Sequence, residues 1–132
     1  MNRRALEGRE KALGAEHPYT LSSVNSLASV LQGQGRYEEA EKMNRRALEG
    51  REKALGAEHP YTLSSVSSLA SVLQGQGRYE EAEKMNRRAL EGREKALGAE
   101  HPYTLSSVNS LASVLQDQGR YEEAEKMNRR VL

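Results

Sequence analysis

MNRRALEGREKALGAEHPYTLSSVNSLASVLQGQGRYEEAEK, residues Met1–Lys42, decides the fold, because the chain then repeats it almost letter for letter. The segment returns at Met43–Lys84 and again at Met85–Lys126, and a last fragment, MNRRVL, runs to Leu132. Self-similarity at a period of about 20 to 50 residues marks stacked architectures, in which one unit cannot cover its own apolar face and lays it on the next. The 132 residues therefore count the units of one array.

Within a unit the apolar spacing is helical. Pro18 suits the first turn of a helix, where its missing N–H costs nothing. Leu21, Val24, Leu27, Ala28 and Leu31 then form one stripe, and Gly33 and Gly35 end the helix and supply a tight turn. Tyr37, Ala40, Met43, Ala47, Leu48 and Leu55 carry the period into a second, longer helix, supported by pairs four apart such as Glu41 with Arg45. Gly56 stops it, and Pro60 begins the next unit. Helices A are thus expected near 18–33, 60–75 and 102–117, and helices B near 37–55, 79–97 and 121–132. Residues 2–13 read as the tail of a further helix B, making seven helices. The expected organisation is one array: a partial helix B at 1–14, repeats at 15–56 and 57–98, and a truncated repeat at 99–132. Gly8, Gly50 and Gly92 fall inside helices B, where glycine costs about 1 kcal/mol relative to alanine. A close helix crossing would account for that expense.

Composition narrows the function. Net charge is +1 with 30% charged residues, which gives neither a nucleic-acid footprint nor an acidic tail. Phe, Trp and Cys are absent, so the apolar content is Leu, Ala, Val, Met and six Tyr, a mixture that favours helices. Without cysteine there is no disulfide or thiolate chemistry. No apolar run approaches membrane-spanning length and no signal-peptide core is visible, so the expected location is cytoplasmic.

The run Leu27-Ala28…Leu31…Gln34-Gly35-Arg36-Tyr37-Glu38-Glu39-Ala40…Arg46-Ala47-Leu48-Glu49 resembles a tetratricopeptide repeat. The longer period, with REKALGAEHPYTL between units, is similar to the 42-residue subtype of kinesin light chains and to the arrays of fungal NACHT and NB-ARC signalling ATPases. The resemblance implies an all-α, right-handed α-solenoid of antiparallel helix pairs. There are departures. The family's early aromatic in helix A is Val24 here, its small glycine is Ala28 and its later tyrosine is Leu31. The usual aromatic of helix B falls at Asn44, with Met43 beside it, and Glu52 replaces the proline that ends helix B. A propeller would need strand-forming runs that are lacking. HEAT-type helix pairs are a weaker competitor that periodicity alone leaves open, and only the resemblance of the QGRYEEA turn argues against them.

Projecting helix A at about 100° per residue sets Ser22, Asn25, Ser26, Ser29, Gln32 and Gly33 on one polar arc opposite the apolar stripe. The same arc is Ser64, Ser67, Ser68, Ser71, Gln74 and Gly75 in the second unit, and Ser106, Asn109, Ser110, Ser113, Gln116 and Asp117 in the third. The resemblance implies that these positions line the concave groove that receives peptides. Among the three full units only two columns differ, Asn25/Ser67/Asn109 and Gly33/Gly75/Asp117, and both lie on the arc. Two random differences would both land there about 2% of the time, so the pattern favours contacts varied on a fixed scaffold. The arc offers hydroxyls, amides and one carboxylate but no cation, which disfavours the clamp that grips a chain-terminal carboxylate. It suits an extended backbone or a helix held by many weak polar contacts.

Other candidates give way to structural explanations. His17, His59 and His101 belong to different units, roughly 10 Å or more apart, and suit the start of helix A better than a metal. Any catalytic group would recur on equivalent surfaces without an unlike partner, and no nucleophile, phosphate-loop or zinc-protease pattern occurs, so neither an enzyme nor a cofactor is expected. Gly33-Gln34-Gly35 reads as a turn, and Glu38-Glu39 as acids favourable at a helix N-terminus. The pairs Arg3-Arg4, Arg45-Arg46, Arg87-Arg88 and Arg129-Arg130 have Glu41, Glu49 and Glu52 or their equivalents around them, so a salt-bridged face is expected, not a nucleic-acid surface. The expected function is a non-catalytic scaffold for a protein or peptide ligand, without nucleic acid or membrane partners. The alternative is a structural repeat or idealised sequence that self-associates through uncapped ends.

Overall fold

The computed structural model describes Arg3, Leu6, Glu7 and residues 18–131. Six helices follow in order: α1 (Pro18–Gly33), α2 (Tyr37–Leu55), α3 (Pro60–Gly75), α4 (Tyr79–Leu97), α5 (Pro102–Asp117) and α6 (Tyr121–Arg129). No strand occurs among the described residues. Five helices keep the expected bounds. The last does not reach 132: α6 ends at Arg129, and Arg130 and Val131 form a turn. Arg3, Leu6 and Glu7 are helical; the rest of the expected N-terminal helix, Gly8 included, lies outside the described residues, as does His17 before α1.

Local chemistry sets the boundaries. Pro60 and Pro102 occupy the first turns of α3 and α5, where fixed φ is pre-organised for helix. The preceding histidines are the caps: His59 Nδ1 accepts the Tyr61 backbone N–H at 3.0 Å, and His101 Nδ1 accepts that of Tyr103 at the same distance. The histidines therefore take the structural role expected for them. Each A-to-B turn needs a residue at positive φ, supplied by Gly35, Gly77 and Gly119 at 78–79°. The chain then folds back so that the Arg36 N–H reaches the Leu31 carbonyl at 2.9 Å, repeated by Arg78 to Leu73 and Arg120 to Leu115.

Packing follows the chain, each helix lying on the next, with α1 also touching α3 across the intervening α2. Leu6, Val24, Leu27, Leu31, Ala40 and Ala47 make the first core, and Leu48, Val66, Leu69, Leu73, Ala82 and Ala89 the second. Full burial of each such leucine or valine contributes about 1.5–3 kcal/mol. What joins the cores is a residue outside the expected stripe. Val72 of α3 enters the first core and Val114 of α5 the second, both fully buried. Their counterpart Val30 is 46% exposed. The fully buried alanines 40, 47, 82 and 89 let the helices approach closely around these valines.

Candidate binding groove

The polar arcs of α1, α3 and α5 stand side by side. All eighteen positions expected to line a groove keep some solvent exposure, while Val24, Leu27, Ala28 and Leu31 and their equivalents point into the cores. The arcs are joined by side-chain hydrogen bonds. Gln32 Nε2 donates to Ser71 Oγ at 2.8 Å, and Gln74 Nε2 donates to Ser113 Oγ at 3.0 Å and to Asp117 Oδ2 at 2.7 Å. Asn25 Nδ2 reaches Ser65 Oγ at 3.5 Å. Residues of both variable columns thus make contacts between helices: Asn25 with α3, Asp117 with α3. Between α3 and α5 lies a cleft of about 260 Å³ walled by Ser67, Ser71, Gln74, Asn109 and Ser113.

The floor of that cleft is a residue absent from the arc. Asn86 projects from α4 and is 3% exposed. Its equivalent Asn44 is 2% exposed, donates to the Ser68 carbonyl at 3.5 Å and has a buried Oδ1 with no hydrogen-bond partner among the described residues. The signal was available in sequence: an amide recurring in mid-stripe of every helix B, where an apolar residue would be expected.

Two cations stand beside the arcs, one of them, Arg51, only 8% exposed. Arg51 of α2 and Arg93 of α4 each rise from helix B toward the next helix A. Arg51 Nη1 donates to Ser65 Oγ at 2.9 Å and to the Tyr61 carbonyl at 3.1 Å, and Nη2 approaches Ser22 Oγ at 3.5 Å. Arg93 Nη1 donates to Ser107 Oγ at 2.8 Å and to the Tyr103 carbonyl at 3.4 Å. Both guanidinium groups sit over a tyrosine ring, at 5.6 Å from the Tyr61 centroid and 5.7 Å from that of Tyr103. Burial holds both below the usual guanidinium range, with only the tyrosine acting against it. The helical projection of helix A missed them because they belong to helix B of the preceding unit. Arg93 borders a second cleft, of about 250 Å³, with Pro60, Tyr61, Ser64, Leu97 and Tyr103.

A broader depression of about 700 Å³ lies at the turns, between Tyr37, Glu41, Arg45 and Arg78. Glu41 and the two arginines satisfy one another there. Glu41 accepts from Arg45 and Arg78, both at 2.8 Å, and from Gln76 at 3.2 Å. Burial alone would raise the Glu41 carboxyl, but the hydrogen bonds from Arg45 and Gln76 and the charge of Arg78 hold it below its ordinary value. Glu83 repeats the balance with Gln118, Arg87 and Arg120. On the helix B side, Arg88 meets Glu52 and Arg130 meets Glu94, each at 2.7 Å, so these two arginines lie on a salt-bridged face as expected. Among the described residues no group of three or more His, Cys, Asp or Glu side chains is placed to hold a metal. No helix there is long and apolar enough to cross a membrane.

Consecutive helix hairpins, a shared core between them and a polar arc on every first helix define an α-solenoid of short repeats. The chain belongs to the tetratricopeptide repeat family, whose model matches residues 1–53, 21–95 and 61–132. Proteins of this family are non-catalytic repeat scaffolds that typically bind protein or peptide partners. In structure the chain is similar to a Podosopora anserina protein provisionally termed a kinesin light chain, with nearly identical TPR-like repeats. Identity is 31% and the TM-score 0.82, over 98% of this chain and 62% of that one. A single-substitution form of that kind of protein gives 29% identity and a TM-score of 0.85, over 98% and 61%. BtubC (BKLC) from P. vanneervenii shares the fold with a TM-score of 0.89 at 20% identity, over 98% of this chain and 52% of that one. The chain thus spans only about half to three-fifths of the length of these relatives. No curated protein matches it.

Proposed function

We propose that the chain is a cytoplasmic scaffold that holds a peptide or protein segment along the arcs of α1, α3 and α5. The supporting observation is the ladder Gln32–Ser71 and Gln74–Ser113, which aligns three accessible polar faces into one continuous surface. Such a surface offers a ligand backbone repeated donors and acceptors at fixed spacing, while the cores beneath it stay closed. The likeness of REKALGAEHPYTL and its flanking helices to fungal NACHT and NB-ARC arrays extends the reading. There the scaffold is the ligand-sensing region of a larger signalling ATPase.

A pull-down from host lysate with two baits tests the reading. One bait is the chain itself; the other carries Ser29→Trp, Ser71→Trp and Ser113→Trp, three exposed arc positions away from the apolar stripes. Circular dichroism must first show equal helicity. Proteins retained by the native bait alone support the groove. Equal retention by both sinks it, and a parent reading frame without a nucleotide-binding domain sinks the ATPase assignment.

A further inference from the structure

We infer that copies of this chain stack head to tail, α1 of one copy seating on the α5–α6 face of another as α3 seats on α1 and α2 within the chain. The contact is separate from the arcs and does not depend on what they bind.

The first argument is that the two faces already fit each other inside the molecule. α3 packs on α2 and α5 on α4, and the three first helices carry the same residues in every column but two. Val72 and Val114 are buried in the core of the preceding unit, whereas Val30 is 46% exposed. The third core, with Leu90, Val108, Leu111, Leu115 and Ala124, receives no such valine among the described residues. Plug and socket are thus both present and apart, and joining them takes a branched apolar side chain out of water.

The second argument is the cleft on that face, about 320 Å³ among Gln116, Tyr121, Ala124, Glu125, Asn128 and Arg129. In the inner units the same columns are covered by the next first helix. Tyr37 is crowded against Gly75, where a Cβ would come within 2.7 Å of its ring. Tyr121 is 66% exposed, and Gly33, which would meet it, has open space around it. Asn44 and Asn86 are buried, and Asn128 is exposed.

The third argument is electrostatic and sets the register. Glu41 accepts from Gln76 and Arg78 of the following turn, and Glu83 from Gln118 and Arg120, which leaves the two glutamate side chains 16% and 14% exposed. Glu125, third in the series, is 62% exposed and pairs with Arg129 of its own helix. Its missing donors are the second copy's Gln34 and Arg36. Arg78 holds Glu81 and Glu41 together, so Arg36 can keep Glu39 when Glu125 joins it.

One short segment must yield. α6 ends at Arg129, and Arg3, its counterpart three repeats earlier, is helical and pairs with Glu39. The N-terminal helical residues of the second copy therefore continue the α6 axis, and the turn at Arg130 and Val131 moves aside, releasing the Arg130–Glu94 pair. A heterologous contact of this kind leaves one face free at each end, so copies add without closing.

The test is sedimentation velocity of the native chain from about 1 µM to about 1 mM, beside Val30→Glu, Glu125→Arg and Arg36→Glu. Circular dichroism first compares their helicity; Val30→Glu, at a half-exposed position, decides alone if a charge variant folds less well. The expected result is a native mass that grows past the dimer with concentration, and association at least about tenfold weaker in each variant, because a charge enters an apolar socket or meets its like. Mixing the Glu125→Arg and Arg36→Glu chains should restore association, since each end then faces an opposite charge. A native chain monomeric throughout overturns the stack, as does growth that stops at a dimer. Association indifferent to Val30→Glu, or well-folded charge variants that stay apart when mixed, overturns it too.

Discussion

Leu63 of α3 fills the space that a side chain at position 92 of α4 would need. A Cβ on Gly92 would lie 2.6 Å from Leu63 Cδ1, and Leu63 is 1% exposed, so its methyl groups have nowhere to go. This is the close crossing that justifies a glycine in mid-helix. Gly92→Ala gains about 1 kcal/mol of helix propensity. Overpacking of a closed core costs about 1–3 kcal/mol. The expected outcome is a net destabilisation of about 1 kcal/mol in urea melts; a stabilised variant would show that the crossing has slack.

Val72 and Val30 occupy the same column of successive units but opposite environments, 0% and 46% exposed. Val72→Ala is expected to cost about 2 kcal/mol, because it removes buried methyls and opens a cavity between two units. Val30→Ala should stay within about 0.5 kcal/mol, as exposed substitutions do. Equal effects in denaturant titrations would contradict the joining of units through Val72.

The His101 cap is a single hydrogen bond, from the Tyr103 N–H to Nδ1 at 3.0 Å. His101→Ala is expected to lower stability by about 1 kcal/mol, and His101→Asn to restore most of it, since asparagine is a strong cap. Amide exchange in the first turn of α5 is the local readout. It should accelerate in the alanine variant and return toward native rates with asparagine.

Glu41 and Glu83 have folded-state pKa values below their ordinary 4.5. A depressed carboxyl binds its proton less readily in the folded than in the unfolded state. Its stabilisation is therefore full above the unfolded pKa and is lost as pH falls through the folded one. The melting temperature should be flat near neutrality and fall below about pH 4.5. Glu41→Gln with Glu83→Gln should melt lower at neutral pH and show a shallower acid slope. An unchanged slope would assign the acid sensitivity to other carboxylates.

Much of this was written in the sequence. Leu21, Val24, Leu27, Ala28 and Leu31 recur at helical spacing, and Pro60, Gly56 and Gly77 bracket the helices, so five of six described helices keep their expected bounds. These are local properties, fixed by φ, by missing N–H groups and by the side on which a residue falls. The accessible arc of helix A followed from the same projection. The tertiary structure decided what lies beside that arc. Val72 reaches backwards into another unit's core, Asn86 comes up from below, and Arg93 crosses from helix B to the next Ser107 and Tyr103. A helical projection orders residues around one axis and holds nothing about the neighbouring axis. Whether an arginine meets a glutamate or a tyrosine depends on the offset between two helices, which packing alone sets.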